Sequence, residues 1–600
     1  MLVRTHNCNE IRSEHVGQEV ILNGWVNSYR DHGSGLVFID IRDRYGLTQA
    51  VFDKEDATAE LLEAGDKLRN EDCIAVKGMI RIRDGGSNPK LETGEVELVV
   101  QTLDVLSKTA TPPFLPDDKG KLPNEEIRLK HRYMDLRRPR MQSILATRHR
   151  VTKVTRDYFD EQGFLEIETP ILCRSTPEGA RDFLVPSRLQ PGQWYALPQS
   201  PQIFKQILMI GGADRYLQIC RCFRDEDPRA DRQAEFTQID LEMSFVDRAT
   251  VLSTMEGFAK RLWSEVAGVE LGDFEQITYA DSMDRYGIDR PDLRYDLELV
   301  DVSDIVAESD FKVFTTALAK HRGCVKAIRV PGGAAKLTRK ITDGYSEFVK
   351  MFGAGGAPTS KYTGGKFESG VGKFIEPLTE KLAERLGLED GDTVFFGADS
   401  YGTCTRALGE LRQKIAKDLD MIPAGVLKFC WVIDFPMFEW SEDNKRFNAL
   451  HHPFTAPQES ELEKFRAVDI TDIDAVESIV SDGYDMVCNG SEIGGGSIRI
   501  HRQDVQAKVF EVLGLSQEQT KQKFGFLLEA LTYGAPPHGG VAFGLDRVVM
   551  HLVGTDNIRD VIAFPKTQIG GDLMSDSPNS VDDAQLEELN VASTWEPEEA

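Results

Sequence analysis

The run Gly539-Gly-Val-Ala-Phe-Gly-Leu-Asp-Arg547 constrains this chain most tightly, because a glycine-spaced strand passes directly into an apolar segment, Val548 to Val553, that reads as a helix. Arginine is poorly placed at a helix start, where backbone amides already present partial positive charge, unless an anion rests against it. Gly539, Gly540 and Gly544 would let a flat or phosphorylated molecule approach the backbone closely. Taken alone, the motif fits a surface arginine after a glycine-rich strand equally well.

A second constraint comes from two strand-like runs, Tyr216-Leu-Gln-Ile-Cys-Arg-Cys-Phe-Arg-Asp-Glu-Asp227 and Ala234 to Phe245, joined by a turn through Pro228 to Arg232. Alternation sends Ile239, Leu241, Met243 and Phe245 to one face and Gln238, Asp240 and Glu242 to the other. Arg224 and Glu226 share a face of the first run. Paired antiparallel, the two runs carry a polar floor, with an arginine among carboxylates, over an apolar underside. A solvent-facing ladder of ion pairs would have the same pattern.

Gln199-Ser-Pro-Gln-Ile-Phe-Lys-Gln-Ile-Leu-Met209 predicts a helix capped by Ser200 with Pro201 in its first position. Gln202 and Lys205 then share one side, while Ile203, Phe204, Ile207 and Leu208 turn mostly to the core. An amide and an ammonium on one turn suit a carboxylate ligand, and a solvated face would look alike. Asp485 and Glu492 are oxygen ligands of the kind magnesium takes while binding nucleotide phosphates. Glu492 and Arg499 lie seven positions apart, so an ideal strand points them to opposite faces. A bulge at the triple glycine 494–496 would restore them to one side.

Around these runs the chain divides into a multidomain α+β protein. Residues 1–107 read as strands and turns of a five-stranded OB-type β-barrel, in which Val37, Ile39 and Ile41 face inward and Phe38 stands among charges, as a stacking platform for an unpaired base does. Residues 108–139 are Pro-rich and charged, a linker or hinge whose basic patch could meet a polyanion. An antiparallel-sheet domain occupies 140–290, with a helix over 143–162 and a strand Gly163–Pro170, and continues over 425–575, where strand character resumes at Val426. Residues 291–424 form an inserted α+β domain, and 576–600 an acidic tail with an amphipathic stretch near Leu586.

A net charge of −27 excludes nucleic-acid binding through a global basic field and leaves room for a local groove. The nine scattered cysteines fit reduced thiols, and Cys220 and Cys222 lack a second pair at zinc spacing, so no zinc is expected. No apolar leader opens the chain and no run is long enough to cross a bilayer, which predicts a cytoplasmic protein without a membrane partner.

Gly163 to Pro170, Phe223-Arg-Asp-Glu-Asp227 and Gly544-Leu-Asp-Arg547 together resemble motifs one, two and three of the class II aminoacyl-tRNA synthetases. With Thr176-Pro-Glu-Gly-Ala180, Gln199 to Lys205, His451-His-Pro-Phe454 and Gly490-Ser-Glu-Ile-Gly-Gly-Gly496, the whole chain is similar to the bacterial-type aspartyl branch of that family. The resemblance implies an anticodon-binding OB domain, an antiparallel catalytic domain and a bacterial insertion. The reaction it implies is ATP-dependent ligation of L-aspartate to tRNA(Asp), with Mg2+, in a homodimer built through motif one.

Site residues follow from the same resemblance. Arg224 and Arg547 would hold ATP phosphates, and Asp485 and Glu492 magnesium, with Arg224, Arg547 and Glu492 carrying catalysis. Asp225, Glu226, Gln233, Gly544, Leu545 and Asp546 complete the ATP site. Glu178, Gln202 and Asp240 would orient the aspartate ammonium, while Lys205, Arg499 and His451 clamp its side-chain carboxylate, beside Arg224. Phe38 would stack on an anticodon base among Arg30, Gln49 and Glu97. After Asp31 the loop reads His32-Gly-Ser-Gly35, where family members restricted to tRNA(Asp) typically carry leucine. His32 thus resembles the relaxed type that also charges tRNA(Asn), which implies a downstream amidotransferase as a possible partner.

Three other readings compete. An asparaginyl or lysyl enzyme shares the barrel, but two cations, Lys205 and Arg499, suit a side-chain carboxylate and oppose an ammonium. A non-catalytic tRNA-binding paralogue would have lost phosphate ligands, yet Arg224, Glu492 and Arg547 are in place. An ATP-dependent amide-forming enzyme would not need the barrel.

Overall fold

The computed structural model describes residues 2–33, 35–176, 179–368 and 370–595. The chain forms two compact units, one of Met1–His149 with Asp227–Ala230 and Thr555–Ser580, the other of Arg150–Glu226, Asp231–Gly554 and Val581–Ala600.

In the first unit, β1 (Glu19–Asp31), β2 (Leu36–Arg42), β3 (Leu47–Asp53), β4 (Cys73–Ile82) and β5 (Val96–Ser107) close into a barrel in the order β1-β2-β3-β5-β4. Closure comes from a short parallel pairing of β3 with β5, Ala50 opposite Leu98. The expected alternation is present: Val37, Ile39 and Ile41 enter the barrel core with Val20, Leu22 and Phe52. Burying one apolar face of every strand is what fixes the register, since a one-residue slip would expose that entire set.

The segment 108–139 departs from a solvated basic linker. It contains two short helices, α1 (Glu125–Lys130) and α2 (Arg132–Asp135). Arg132 is 2% exposed and donates to the carbonyls of Arg559, Ile562 and Ala563. Arg138, equally buried, divides its donors between Asp118 and Asp135. A guanidinium has five fixed donors, and here they tie the unit together instead of waiting for a polyanion.

The second unit is built on eight strands. They are β6 (Leu165–Glu166), β7 (Arg215–Phe223), β8 (Glu235–Ser244), β9 (Glu275–Thr278), β10 (Phe429–Ile433), β11 (Gly483–Cys488), β12 (Ser491–Ile498) and β13 (His538–Gly544), in the order β9-β10-β11-β12-β13-β8-β7-β6. Pairing is antiparallel except at the two edges, β9 with β10 and β6 with β7. The helix expected over 143–162 is α3 (Pro139–Glu161).

Three sequence expectations change here. Only Leu165 and Glu166 of the run Gly163–Pro170 pair as a strand, against Tyr216 and Leu217; Pro170 has no amide to continue a ladder. The strand expected from Val426 begins at Phe429. Phe245 does not join the apolar underside: it lies past the end of β8 at φ 57° and is 77% exposed.

The rest of that underside is buried, Ile239, Leu241 and Met243 completely. Beside it, α5 (Arg248–Ala267), started by an Asp247 cap on the Thr250 amide and stopped by left-handed Gly268, sets Phe258 against Phe543 of β13 with ring centroids 5.5 Å apart. Before α5, α4 spans Gln202–Ile210. The insertion carries its own antiparallel sheet, in the order Leu299–Asp301, Gly323–Val330, Asp392–Ser400, Thr359–Thr363, Lys366–Glu368, and ends with α6 (Tyr401–Asp418). After β13 the chain enters α7 (Leu545–Val553) at once, as the opening motif predicts, and the tail has a short helix, Asp583–Glu588.

Candidate functional site

The pocket begins with α4. Its first residue is Gln202, one later than the sequence suggests, with Pro201 at the cap and Ser200 Oγ accepting the Gln202 amide. That start turns Gln202, Lys205 and Gln206 inward, all buried. Lys205, 1% exposed, reaches β8: its Nζ lies 2.7 Å from Asp240 and 3.1 Å from Glu242. From the other side Arg499 donates to both oxygens of Glu242, at 3.0 and 3.3 Å, and to Ser497 Oγ at 2.7 Å. Two carboxylates and two cations are thus packed out of water, an arrangement that is stable only when geometry and hydrogen bonding compensate the lost hydration.

Glu242 is central to this cluster, although the resemblance gave it no role. Burial alone would raise its pKa, but Arg499 and Lys205 more than offset that and bring it to about 2. Asp240 is raised above the ordinary carboxylate range by burial, which its single close cation, Lys205, does not cancel. Gly540 faces Glu242 across the β8–β13 pairing, and any Cβ there would overlap the Glu242 carboxylate and the Leu241 carbonyl.

Among the described residues, several buried polar atoms in this region have no hydrogen-bond partner: Asp240 Oδ2, Gln202 Nε2, Arg224 Nε, and Nε2 of both His451 and His452. Buried polar groups are normally satisfied, so a concentration of orphans marks where a polar ligand belongs. His451 stacks edge-on against Phe435 and is held near pKa 4 by burial and then by Arg499. It is therefore a neutral hydrogen-bonding group near pH 7, beside the two cations Lys205 and Arg499. His452, near 3, is lowered by burial and then by Arg499, Lys205 and Arg224. Cations from three distant parts of the chain therefore act on one imidazole. The sequence signal was the doubled His451-His452 itself. Glu178 lies outside the described residues.

Next to this pocket, the Arg224 guanidinium lies 5.2 Å from the Phe236 ring centroid. Asp225 pairs with Arg181 and Glu226 with Arg232, while Gln233 is buried. Arg547, in the first turn of α7, donates to the Glu492 carbonyl at 2.9 Å and stands 3.9 Å from its carboxylate. The other members of that motif behave differently. Leu545 is core, and Asp546, 2% exposed, accepts the Thr237 amide at 2.9 Å, fastening α7 to β8. Their side chains face the protein interior, so a contact of either residue with ATP would run through the backbone. Gly544 ends β13 as the cap of α7.

A bulge lies in β12, one residue before the glycines: Val487 pairs with Glu492, but Met486 with Gly494, leaving Ile493 as the extra residue. The shift places Glu492 on the face of Gly495. A Cβ on Gly495 would meet Asp485 Oδ1 at 2.5 Å and Glu492 Oε1 at 3.2 Å, so the glycine leaves room for two converging carboxylates. Asp485 is pushed well above the usual carboxylate range by burial and then by the Glu492 and Asp289 charges. Two facing carboxylates, with the Arg547 guanidinium no nearer than 3.9 Å to Glu492, fit a divalent ion whose other ligands are water and phosphate. Among the described residues, no group of three His, Cys, Asp or Glu side chains is placed to hold a metal by itself. Cys220 and Cys222, 3.8 Å apart at sulfur, are both buried.

On the barrel, Phe38 stands edge-on to His32 with centroids 5.0 Å apart. Arg30 makes a two-pronged contact with Asp40 and reaches Gln49 at 3.1 Å, and Gln49 donates to Glu97 at 2.7 Å. All five predicted readers, Arg30, His32, Phe38, Gln49 and Glu97, line one groove of about 650 Å³. Arg81 and Arg83 also line it, from β4 and the residue after it, which the alternation of β2 does not reach.

Residues 124–568 match the family described as tRNA synthetases class II (D, K and N), and residues 20–106 match the OB-fold nucleic acid binding domain. An aspartate-tRNA(Asp/Asn) ligase of Natranaerobius thermophilus is 50% identical over 594 residues, 98% of this chain and 100% of the relative. An aspartate-tRNA ligase of Staphylococcus carnosus is 48% identical over 594 residues, 98% and 99% of the two chains. The asparaginyl-tRNA synthetase of Pyrococcus horikoshii, solved with asparaginyl-adenylate, shares the fold at TM-score 0.60 and 17% identity, covering 94% of this chain and 99% of that one. No helix among the described residues is long and apolar enough to cross a membrane.

Proposed function

This chain belongs to the class II tRNA synthetases of the D, K and N family, and from that membership we infer that it joins L-aspartate to tRNA with consumption of ATP. The observation that carries the substrate assignment is the unpartnered Asp240 Oδ2, an acceptor sealed in a pocket with the cations Lys205 and Arg499. An acceptor suits the substrate ammonium, and two cations suit its side-chain carboxylate. The orphaned Gln202 Nε2 is a donor, which suits the α-carboxylate better than the ammonium.

An α-carboxylate oxygen attacks the α-phosphorus of ATP and pyrophosphate departs. The 3′-hydroxyl of the terminal tRNA adenosine then attacks the mixed anhydride carbonyl, and AMP leaves. Arg224 and Arg547 stabilise charge on the phosphates, and their fixed placement supplies much of the acceleration, because preorganised charges need no reorganisation during reaction. Asp485 and Glu492 would hold magnesium, which supplies further neutralisation of phosphate charge. Exposed Leu165, Ile171, Leu172 and Leu184, clustered in and after motif one, support a second copy of the chain as the partner that covers them.

His32 against Phe38 supports relaxed tRNA choice, with tRNA(Asn) also charged and its product left to a downstream amidotransferase. Aspartate, but neither asparagine nor lysine, is expected to drive ATP–pyrophosphate exchange, and purified tRNA(Asp) and tRNA(Asn) are both expected to accept it. Exchange driven equally by asparagine overturns the amino-acid assignment. Absence of aspartyl-tRNA(Asn) above background rejects the relaxed reading alone.

A further inference from the structure

The hairpin carrying Asp485 and Glu492 turns at Asn489 and Gly490, with φ of 52° and 81°, the paired left-handed conformation of a tight two-residue turn. That tip is held from both junctions of the inserted domain. On the exit side, Asn489 Nδ2 donates to the Val426 carbonyl, Asn489 Oδ1 accepts the Lys428 amide at 2.8 Å, and the Asn489 amide donates to the Lys428 carbonyl. On the entry side, Arg290 Nη1 donates to the Gly490 carbonyl at 3.3 Å while its Nη2 reaches Glu410 of α6, also at 3.3 Å. Asp292 packs so closely that a Cβ on Gly490 would lie 3.0 Å from its own Cβ.

The helix α6 anchors this entry segment unusually firmly. Arg412, 0% exposed, donates to the carbonyls of Asp292, Tyr295 and Leu297 and is flanked by the Tyr286 and Tyr295 rings at 4.9 and 4.3 Å. Gly409 lies against Gly287 with no room for a side chain on either residue. A cation buried among carbonyls, with no carboxylate in contact among the described residues, is an expensive feature to keep for packing alone.

We propose that the inserted domain positions the metal-binding hairpin, with Arg290 as the residue that transmits its hold from α6 to the turn. The proposal rests on the reading of Asp485 and Glu492 as magnesium ligands, and assigns the insertion a part in adenylate formation. Groups that orient metal ligands indirectly commonly alter metal affinity by about 10- to 100-fold.

Full-length Arg290→Ala and Arg290→Lys serve as tests, with Mn2+ affinity in the presence of ATP read by electron paramagnetic resonance beside the Mg2+ dependence of pyrophosphate exchange. Arg290→Ala is expected to weaken Mn2+ binding roughly tenfold, leave the KM for aspartate unchanged, and be partly rescued in Arg290→Lys. Asn489→Ala, which releases the exit-side grip, should weaken Mn2+ binding in the same sense. Unchanged Mn2+ affinity in Arg290→Ala overturns the proposal, as does an equal loss in every parameter including aspartate KM. Glu492→Gln separates the underlying reading: if it too leaves Mn2+ affinity intact, the ligand assignment fails and the proposal with it.

Discussion

Arg224 offers the sharpest residue-scale prediction, because its Nε is buried without a partner while its planar group faces an aromatic ring, so it is held in place before any anion arrives. Arg224→Ala is expected to lower adenylate formation by at least about two orders of magnitude, comparable to losing one preorganised charge-stabilising group. Pyrophosphate exchange measures it directly, and near-normal exchange contradicts the role. At this scale strand period was a partial guide. It placed Glu242 beside Asp240 on the polar floor, yet a period says only which face a residue occupies, and not that Arg499 and Lys205 converge on it from other elements. His452 escaped notice for the same reason, since the cations acting on it come from α4 and from the residues just after β7 and β12. Asp546 shows the opposite error: a residue inside a recognised motif whose carboxylate serves the Thr237 amide.

Elements were legible where a local pattern alone determines them and less so where tertiary pairing decides. The β13-to-α7 passage follows from glycines ahead of an apolar helical run, and the β7–β8 pair from alternation. The bulge in β12 was foreseeable as a need, but its position at Ile493 depends on pairing with β11, and β6 shrank to two residues because only Tyr216 and Leu217 offer partners. The same pairing makes glycines unequal. Gly540→Ala would drive a methyl into the Leu241 carbonyl and Glu242, so a loss of about 1–3 kcal/mol or more is expected. Gly525, inside the helix Gln517–Leu531, meets only Lys521 Cγ at 3.5 Å, and Gly525→Ala should instead gain about 0.5–1 kcal/mol. Urea unfolding of the two variants decides it; equal effects of the same sign would mean the β8–β13 contact is not what constrains Gly540.

Across the whole molecule, a chain of net charge −27 that handles two polyanions must concentrate its cations where they are needed. Arg224, Arg499, Lys205 and Arg547 do so in the sheet unit, and Arg30, Arg81 and Arg83 in the barrel groove. Charge counted along the sequence could not reveal this, because the arginines of 108–139, the most basic run, turned out to bond carbonyls and carboxylates of their own unit. The two sites use different physics and are therefore separable. In the barrel, the proposed recognition would rest on stacking of a base on the half-buried Phe38 ring, a contact the adenylate reaction does not need. Phe38→Ala removes that ring and leaves the β2 core residues Val37, Ile39 and Ile41 in place. Charging of tRNA should weaken by about 1–3 kcal/mol, the usual value of one base–aromatic stack, with the loss mainly in tRNA KM. ATP–pyrophosphate exchange without tRNA should be unaffected, because the residues proposed to hold nucleotide and amino acid belong to another sheet. Equal damage to both reactions would instead identify Phe38 as a packing residue whose loss unsettles the fold.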